Sequence, residues 1–431
     1  MSLMTPPTRS LVALLALLSF VAACRLTVGN GQPPPRTITV AQSGEADVIG
    51  SDNVALQRAA DMLRPGDTLL IGPGAYTMHN SLFLPSGVRV QGTAGETILV
   101  KSDGVQSDLY EDAGYGLRQL TAVDPSGFRA GMGITVLDDE QSTGWGVTVT
   151  TITRVDGNIL FIDPMTIWDY LEQNRARIQN TFPILCVINA EDTIVEDIIV
   201  DGNKDRNGYL DGCRGGAIYL QNVRNITVRN CVARNYNGDG ISFQITEGVR
   251  ILNCESYGNT GLGIHPGTGS ERPEVRDSRA HDNGQDGLYL CWRVRHGVFA
   301  GNIFEDNGRH GISIGHKDTD NLFENNRIVR NGRAGVYFRP ETFKNSGHRN
   351  TLRDNTILDN GNERAGAGIY IAPHATGIVI EKNRIAETRT EGRTQRYGVY
   401  KVEGAGEVRL ADNIFEGNWE GDYREGPPLE W

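Results

Sequence analysis

No cysteine–histidine spacing in this 431-residue chain resembles a zinc site, which excludes a small metal-stapled module. No helix-length apolar pattern lies between the short strand-like segments of its repetitive part, so ankyrin-like and leucine-rich repeats fit badly. No basic face dominates. The 42 Lys and Arg against 53 Asp and Glu leave a net charge of −11, which argues against nucleic acid as a partner. The apolar run from Leu11 to Val21 is too short to span a bilayer as a stable helix.

What the chain has is repetition. From Ala217 to about Asn418 a short apolar alternation recurs eight times: Ile218-Tyr-Leu220, Ile241-Ser-Phe243, Leu262-Gly-Ile264, Leu288-Tyr-Leu290, Ile312-Ser-Ile314, Val336-Tyr-Phe338, Ile369-Tyr-Ile371 and Val399-Tyr-Lys401-Val402. A Gly stands just before all but the first, and an Asn or Asp follows later in each unit, from Asn230 and Asn253 to Asn383 and Asn413. Asn237-Gly, Asn283-Gly, Asn307-Gly, Asn331-Gly and Asn360-Gly, with Asn259, punctuate the gaps. The period is 21 to 26 residues over the first six units and about 30 afterwards. Strands this short cannot hide an apolar face alone, so they must stack on their neighbours. The Asn residues would then form ladders, with the following Gly in turns that need positive φ. Abundant glycine, 53 residues, suits such a turn-dense chain. The pattern resembles that of right-handed parallel β-helices, with three-sided coils of about 24 residues.

The expected organisation follows in chain order. Residues 1–24 read as a signal peptide with Arg9 before its apolar run. Val21-Ala22-Ala23-Cys24 resembles a bacterial lipoprotein box with Cys24 lipidated; cleavage near Ala23 with plain secretion is the alternative. Both lead out of the cytoplasm. Residues 25–36 read as a tether and 37–100 as an N-terminal cap and first coils. There Asn53 to Leu63 has helical apolar spacing, and Thr68 to Ile71 reads as a strand. The segment through Tyr76 resembles the N-terminal cap of pectate-lyase-like β-helices. Residues 101–182 lose the rhythm and predict a small inserted antiparallel β subdomain, 183–420 the parallel β-helix, and 421–431 a C-terminal tail. Residues 201–214 form a polar loop too long for a simple turn, where such folds place function. Cys231 and Cys254 should lie one rung apart, as aligned free thiols or as a disulfide.

Equivalent residues on successive rungs of a parallel solenoid lie roughly 4.8 Å apart, so register predicts a site. The ridge after the repeated strand carries Gln244, His265, Trp292, Arg293, His316, Lys317, Arg339 and Glu341. Between the ridges lie Ser242, Gly263, Tyr289, Ser313 and Tyr337, small and aromatic residues suited to a sugar-binding floor. Superposed, Gln244, His265, Arg293, Lys317 and Arg339 would form one cationic wall. Arg forks suit the carboxylate of a uronate. Once that carboxylate is neutralised, a base removes the C5 proton and the 4-linked sugar leaves by β-elimination. Lys317 or His316 would be the base, Arg339 and Arg293 would hold the carboxylate, and His265 would act as acid or base. Asp318 and Asp320 are weak candidates for Ca²⁺.

The ridge before the strand carries Asp239, Thr260, Asp286 and His310. Asp239 and Asp286, two rungs apart, would sit roughly 9–10 Å from each other, near the upper end of the spacing of inverting glycosidases, about 6.5–9.5 Å. His310-Gly-Ile-Ser-Ile-Gly315 resembles the His-Gly strand of polygalacturonases, whose Asn-Thr-Asp, paired-Asp and Arg-Ile-Lys motifs are absent. Over most of residues 40–420 the chain resembles bacterial right-handed β-helix proteins of the pectate-lyase-like superfamily. That resemblance implies an all-β solenoid and carbohydrate chemistry, with Lys, Arg or His beside a uronate in its lyases and epimerases. Three functions follow as expectations: a lyase or C5-epimerase of a uronate polysaccharide, an inverting glycoside hydrolase, or a non-catalytic glycan-binding surface solenoid.

Overall fold

The computed structural model describes residues 34–431. The signal segment and Cys24 lie outside the described residues, as does most of the tether. Among the described residues the chain winds into three long parallel sheets of 13, 11 and 11 strands, beside one six-stranded antiparallel sheet. Each coil contributes one short strand to each parallel sheet, and neighbouring strands pair in strict register, as in Ile218↔Ile241↔Ile264↔Leu288↔Ile312↔Val336↔Ile369↔Val399. Those eight residues point inward and are fully buried. With Phe299, Phe323, Ile328 and Ile357 they form one continuous apolar column along the coil axis.

Two buried amide ladders hold the corners. Asn302, Asn326, Asn355 and Asn383 each pass a side-chain N–H to the carbonyl oxygen of the next, ending on Asn413, at 2.9–3.0 Å. Asn259, Asn283, Asn307, Asn331 and Asn360 do the same at 2.9–3.2 Å, ending on Gln395. The same side-chain oxygens accept backbone N–H groups, so corner groups shut off from water stay paired. The earlier Asn230, Asn253 and Asp277 stand one position outside the first ladder, in left-handed turns; Cys231, Cys254 and Ser278 take the inward places. Cys231 and Cys254 are buried and unbridged.

The N-terminal cap is a helix at Asn53–Ala60, shorter than the apolar spacing predicts. Asp52 caps it by accepting the N–H groups of Val54 and Ala55 at 3.0 Å. The inserted sheet spans Gln106–Asp108 to Arg177–Gln179 and has its own core around Leu120, Ile134, Leu160 and Ile178. It rests on the coils through Asn80 Nδ2 to Thr151 Oγ1 at 3.0 Å. The loop over residues 201–216 touches it through Arg214 Nε to Val147 O at 2.9 Å.

Two expectations need correction. Residues 421–431 are not a free tail: Gly421–Gly426 adds a strand to the sheet containing Ile218–Arg224, and Trp431 packs edge-on against Tyr337 and Tyr370. The strand of the third repeat is Ile264–Pro266, not Leu262–Ile264. Both positions offer Gly before an apolar residue, and a slip of two keeps the inward-outward parity. Corner packing decides between them. A Cβ on Gly263 would meet Ala280 at 2.7 Å and Asn283 of the ladder at 2.8 Å, matching Gly240 against Asn259 and Gly287 against Asn307.

Candidate active site

The two-residue shift rearranges the predicted walls. His265 pairs with Ser242 and so joins the outward floor column with Tyr289, Ser313 and Tyr337. Leu262, not Thr260, stands between Asp239 and Asp286 in the ridge before the strand, since Gly240 N bonds Leu262 O and Gly263 N bonds Asp286 O. The column after the floor holds Gln244, Gly267, Cys291, Gly315 and Arg339, set by bonds from Gly267 N to Phe243 O, Cys291 N to Pro266 O and Arg339 N to Ile314 O. Arg293 and Lys317 pair with each other two positions further on, through Arg293 N to His316 O at 2.8 Å. The five residues of the predicted cationic wall therefore occupy three columns.

Arg339 and His265 meet around Tyr289. The Arg339 guanidinium lies 4.2 Å over the Tyr289 ring, and the His265 ring stands edge-on to Tyr289 with centroids 5.5 Å apart. Arg339 also reaches Ser313 Oγ at 2.9 Å, Leu290 O at 2.6 Å and Asp318 Oδ2 at 3.2 Å. These three bonds fix the guanidinium and leave further N–H donors of its fork unspent. Burial holds the Tyr289 phenol up at about 12, with Arg339 pulling the other way.

His265 Nδ1 sits 2.7 Å from Asp239 Oδ2, and both side chains are almost wholly buried. Burial opposes charge on His265, but the Asp239 carboxylate and then Cys291 raise its pKa to about 10. Burial likewise pushes Asp239 up, against the pull of His265. Together the pair therefore keeps a proton through neutral pH. His265 Nε2 is buried without a hydrogen-bond partner of its own. The Cys291 thiol is pulled well below its usual range, chiefly by the Cys213 thiol, then by His265 and Arg339, against the effect of burial.

The long loop seals one end of this group. Gly212 O accepts Ser242 Oγ at 2.6 Å and Gln244 Nε2 at 3.2 Å. Only glycine fits there: a Cβ on Gly212 would lie 1.7 Å from Asp239 Oδ2 and 2.6 Å from His265 Nδ1. Tyr209 of the same loop stands near Asp239 and Arg309. Sequence reasoning singled the loop out but missed Tyr209 and Cys213, and it passed over Cys291. Two cysteines 78 positions apart in sequence leave no local signal.

The other predicted residues stand as follows. Gln244 is fully buried and accepts Thr268 N at 2.7 Å. Trp292 stacks on His316 at 3.9 Å, and His316 Nδ1 is 3.3 Å from Glu341. Lys317 lines a separate cleft with His296, Asp320 and Arg349. Asp286 and His310 are buried; their side chains accept the N–H of His310 at 2.8 Å and of Ala334 at 3.1 Å on the next rungs. Burial raises Asp286 to about 6, and burial with Arg333, Arg309 and Arg339 nearby keeps His310 neutral. Tyr337 stacks on His310 at 4.1 Å. Asp318 accepts Val294 N at 3.0 Å and Gly315 N at 2.8 Å, while Asp320 bonds Arg349 at 2.7 Å, so the two carboxylates serve different partners.

The floor continues beneath the inserted sheet into a cleft of 330 Å³ lined by Phe83, Cys186, Tyr219, Gln221, Val149 and Arg214. A larger open cleft of 490 Å³ lies beside the ends of strands Ile218–Arg224 and Ile241–Glu247; its Glu191, Glu247 and Glu271 would repel a polyanion.

Residues 189–346 match the family described as "Right handed beta helix region". The fold is that of a right-handed parallel β-helix. Residues 274–431 of this β-helix also match a family described as "Periplasmic copper-binding protein (NosD)". The matched stretch contains one cysteine, Cys291, and no methionine. Among the described residues no group of three or more His, Cys, Asp or Glu side chains is arranged to hold a metal ion. The soft donors expected at a copper site are thus not assembled here.

Among solved structures, the β-helix is similar to the A-module of the Azotobacter vinelandii mannuronan C-5 epimerase AlgE6. The two are 15% identical with a TM-score of 0.55, over 87% of this chain and 93% of that one. It is also similar to the catalytic domain of a GH87 α-1,3-glucanase, 12% identical with a TM-score of 0.54 over 92% and 69%. A third is the family 28 exopolygalacturonase of Yersinia enterocolitica, 12% identical with a TM-score of 0.51 over 91% and 77%. At these identities the likeness is one of fold. No curated protein matches the sequence.

Proposed function

We propose that this β-helix is an extracytoplasmic enzyme that removes the C5 proton of a uronate unit in a polysaccharide, as a lyase or a C5-epimerase. The observation that carries the reading is Arg339 held over the partly exposed Tyr289 ring beside the buried Asp239–His265 pair. The remaining Arg339 donors would take the uronate carboxylate and stabilise the negative charge that develops on it as the C5–H bond breaks. Cys291, its proton withdrawn by its neighbours, is the acceptor; it stands two residues beyond Tyr289 on the same rung. The electron pair of the C5–H bond moves into the carboxylate. In a lyase it then returns to form the C4–C5 double bond as the C4–O bond breaks, and Tyr289 protonates the departing oxygen. In an epimerase Tyr289 would return a proton to C5 from the opposite face. His265, charged and fixed by Asp239, stabilises the Cys291 thiolate. The likeness in fold to a C-5 epimerase and an exopolygalacturonase supports carbohydrate as the substrate class.

The test is incubation of the protein with alginate, pectate and glycosaminoglycans, read for absorbance of a new double bond and for solvent deuterium entering C5. Tyr289→Phe is expected to lower turnover by about 10²–10⁴, the usual worth of an acid–base group. Arg339→Lys should weaken it through loss of the fork. New reducing ends without unsaturation or deuterium uptake would instead identify a hydrolase, and binding without turnover a glycan receptor. On the lipoprotein reading of residues 1–24, lipidated Cys24 would anchor the enzyme to a membrane, with plain secretion as the alternative. Cys24→Ser is expected to move it from the membrane fraction to the soluble extracytoplasmic fraction; unchanged partition would dismiss the anchor.

A further inference from the structure

The chain carries more acid than base, yet some of its bases are gathered in one place. Arg295, Lys317, Lys344 and Arg349 line an open cleft of 410 Å³ in which Asp320 is the one carboxylate among the described residues. Asp320 is spent on Arg349, accepting its Nε at 2.7 Å and its Nη2 at 2.8 Å. Among the described residues no carboxylate lies within ion-pair distance of Arg295, Lys317 or Lys344. Arg295 Nε, shut off from solvent, finds no hydrogen-bond acceptor. His348 gives its Nε2 proton to Phe343 O at 2.7 Å and keeps a buried Nδ1 without a partner. Like charges gathered in this way repel one another, and a bound anion removes that cost. The gathering is local. In the column Glu247, Glu271, Arg295 the sign reverses between two adjacent rungs that form no ion pair.

The cleft also lies on a path off the sugar floor. Trp292 and Arg295 follow Tyr289 on one rung, and His316 and Lys317 follow Ser313 on the next. Trp292 is 48% exposed, and its ring lies flat on His316 with centroids 3.9 Å apart. A sugar ring can pack on such a face. Along the coil axis the floor is covered on both sides: Gly212 O bonds Ser242 and Gln244 on one, and Trp431 stands edge-on to His310 and Tyr337 on the other. We propose that this basic cleft is a second binding site for an acidic polysaccharide, holding carboxylates of sugars that lie beyond the unit at Tyr289 and have crossed Trp292. Guanidinium and ammonium donors without internal partners suit carboxylates spaced along a chain. The choice of a uronate chain rests on the reading above; the preference for an anion does not. Lys317 thus acts by holding substrate, away from the bond that breaks.

The test measures binding of the full chain to polygalacturonate and alginate by calorimetry, at low and at physiological salt. Fully methyl-esterified polygalacturonate, with the same backbone and no charge, is the control. Affinity for the acidic polymers is expected to fall as salt rises, and the ester to bind about tenfold more weakly or worse. Lys344→Glu changes an exposed side chain and spares the fold; it should weaken binding of the acidic polymers by about tenfold and leave the ester unaffected. Arg295→Gln combined with Lys344→Gln should do the same. Equal affinity for acid and ester, or parental affinity in both variants, would overturn the proposal. So would capture by phosphatidylglycerol vesicles without binding of either acidic polymer, which would make the cleft a membrane contact. Salt-dependent binding that the variants lose, in a protein forming neither a double bond nor deuterated C5, would keep the cleft and reject the catalytic reading. Turnover with binding untouched by the variants would do the reverse.

Discussion

Buried carboxyl groups give this protein an unusual pH response at the level of single residues. Burial raises Asp286 and Asp318 from 3.8 to about 6. A folded-state pKa raised above the unfolded one contributes stability that is complete below about pH 4 and disappears as pH climbs through about 6. Each group therefore withdraws up to about 3 kcal/mol over that interval. His265 follows the same sign over a higher window: raised from 6.5 to about 10, it stabilises fully below 6.5 and loses that contribution as pH rises through 10. Asp286→Asn keeps an acceptor for the His310 N–H but never ionises. Urea midpoints should show it gaining on the parent by about 2–3 kcal/mol between pH 4 and pH 7. An equal difference at both pH values would mean that Asp286 does not titrate in this range.

At the level of elements, the aromatic floor ends where the C-terminal strand returns. Tyr337, Tyr370 and Tyr400 stack at 5.1 and 5.9 Å, a platform suited to sugar rings, but Leu429 and Trp431 lie on it and Pro427 O accepts Tyr400 Oη at 2.7 Å. A chain ending at Gly426 would keep the strand Gly421–Gly426 and uncover the platform. It is expected to bind longer oligosaccharides more tightly, by about 1–3 kcal/mol if one more ring stacks, measurable by calorimetry; unchanged affinity would show that sugars stop short of Tyr337. Much of this architecture was legible beforehand. The apolar alternation located seven of the eight repeated strands correctly, and the loss of that rhythm over 101–182 marked the antiparallel insert. The third rung failed because Gly261-Leu-Gly-Ile264 satisfies the pattern twice, and that slip moved His265 from the floor to a ridge. The Asp239–His265 contact and the seat of Gly212 bring together residues from the third rung's shifted strand and the long loop that folds back on it. No periodicity encodes that.

For the whole molecule, the amide ladders carry a chemical consequence as well as a structural one. Asparagine followed by glycine is ordinarily the most perishable pair in a polypeptide, because the glycine nitrogen attacks the side-chain carbonyl and expels ammonia. This chain repeats the pair at Asn283, Asn307, Asn331 and Asn360, yet each side chain is clamped by its neighbours above and below. The attacking nitrogens are occupied as well: Gly284, Gly308, Gly332 and Gly361 donate to carbonyls of the preceding rung at 2.8–2.9 Å. Weeks at 37 °C should leave these four sites free of isoaspartate while the urea-unfolded chain accumulates it, and equal accumulation in both would contradict the clamping. Stacking thus makes durable the one dipeptide that should age first, so the protein's calendar lifetime is set by how seldom its coils come apart.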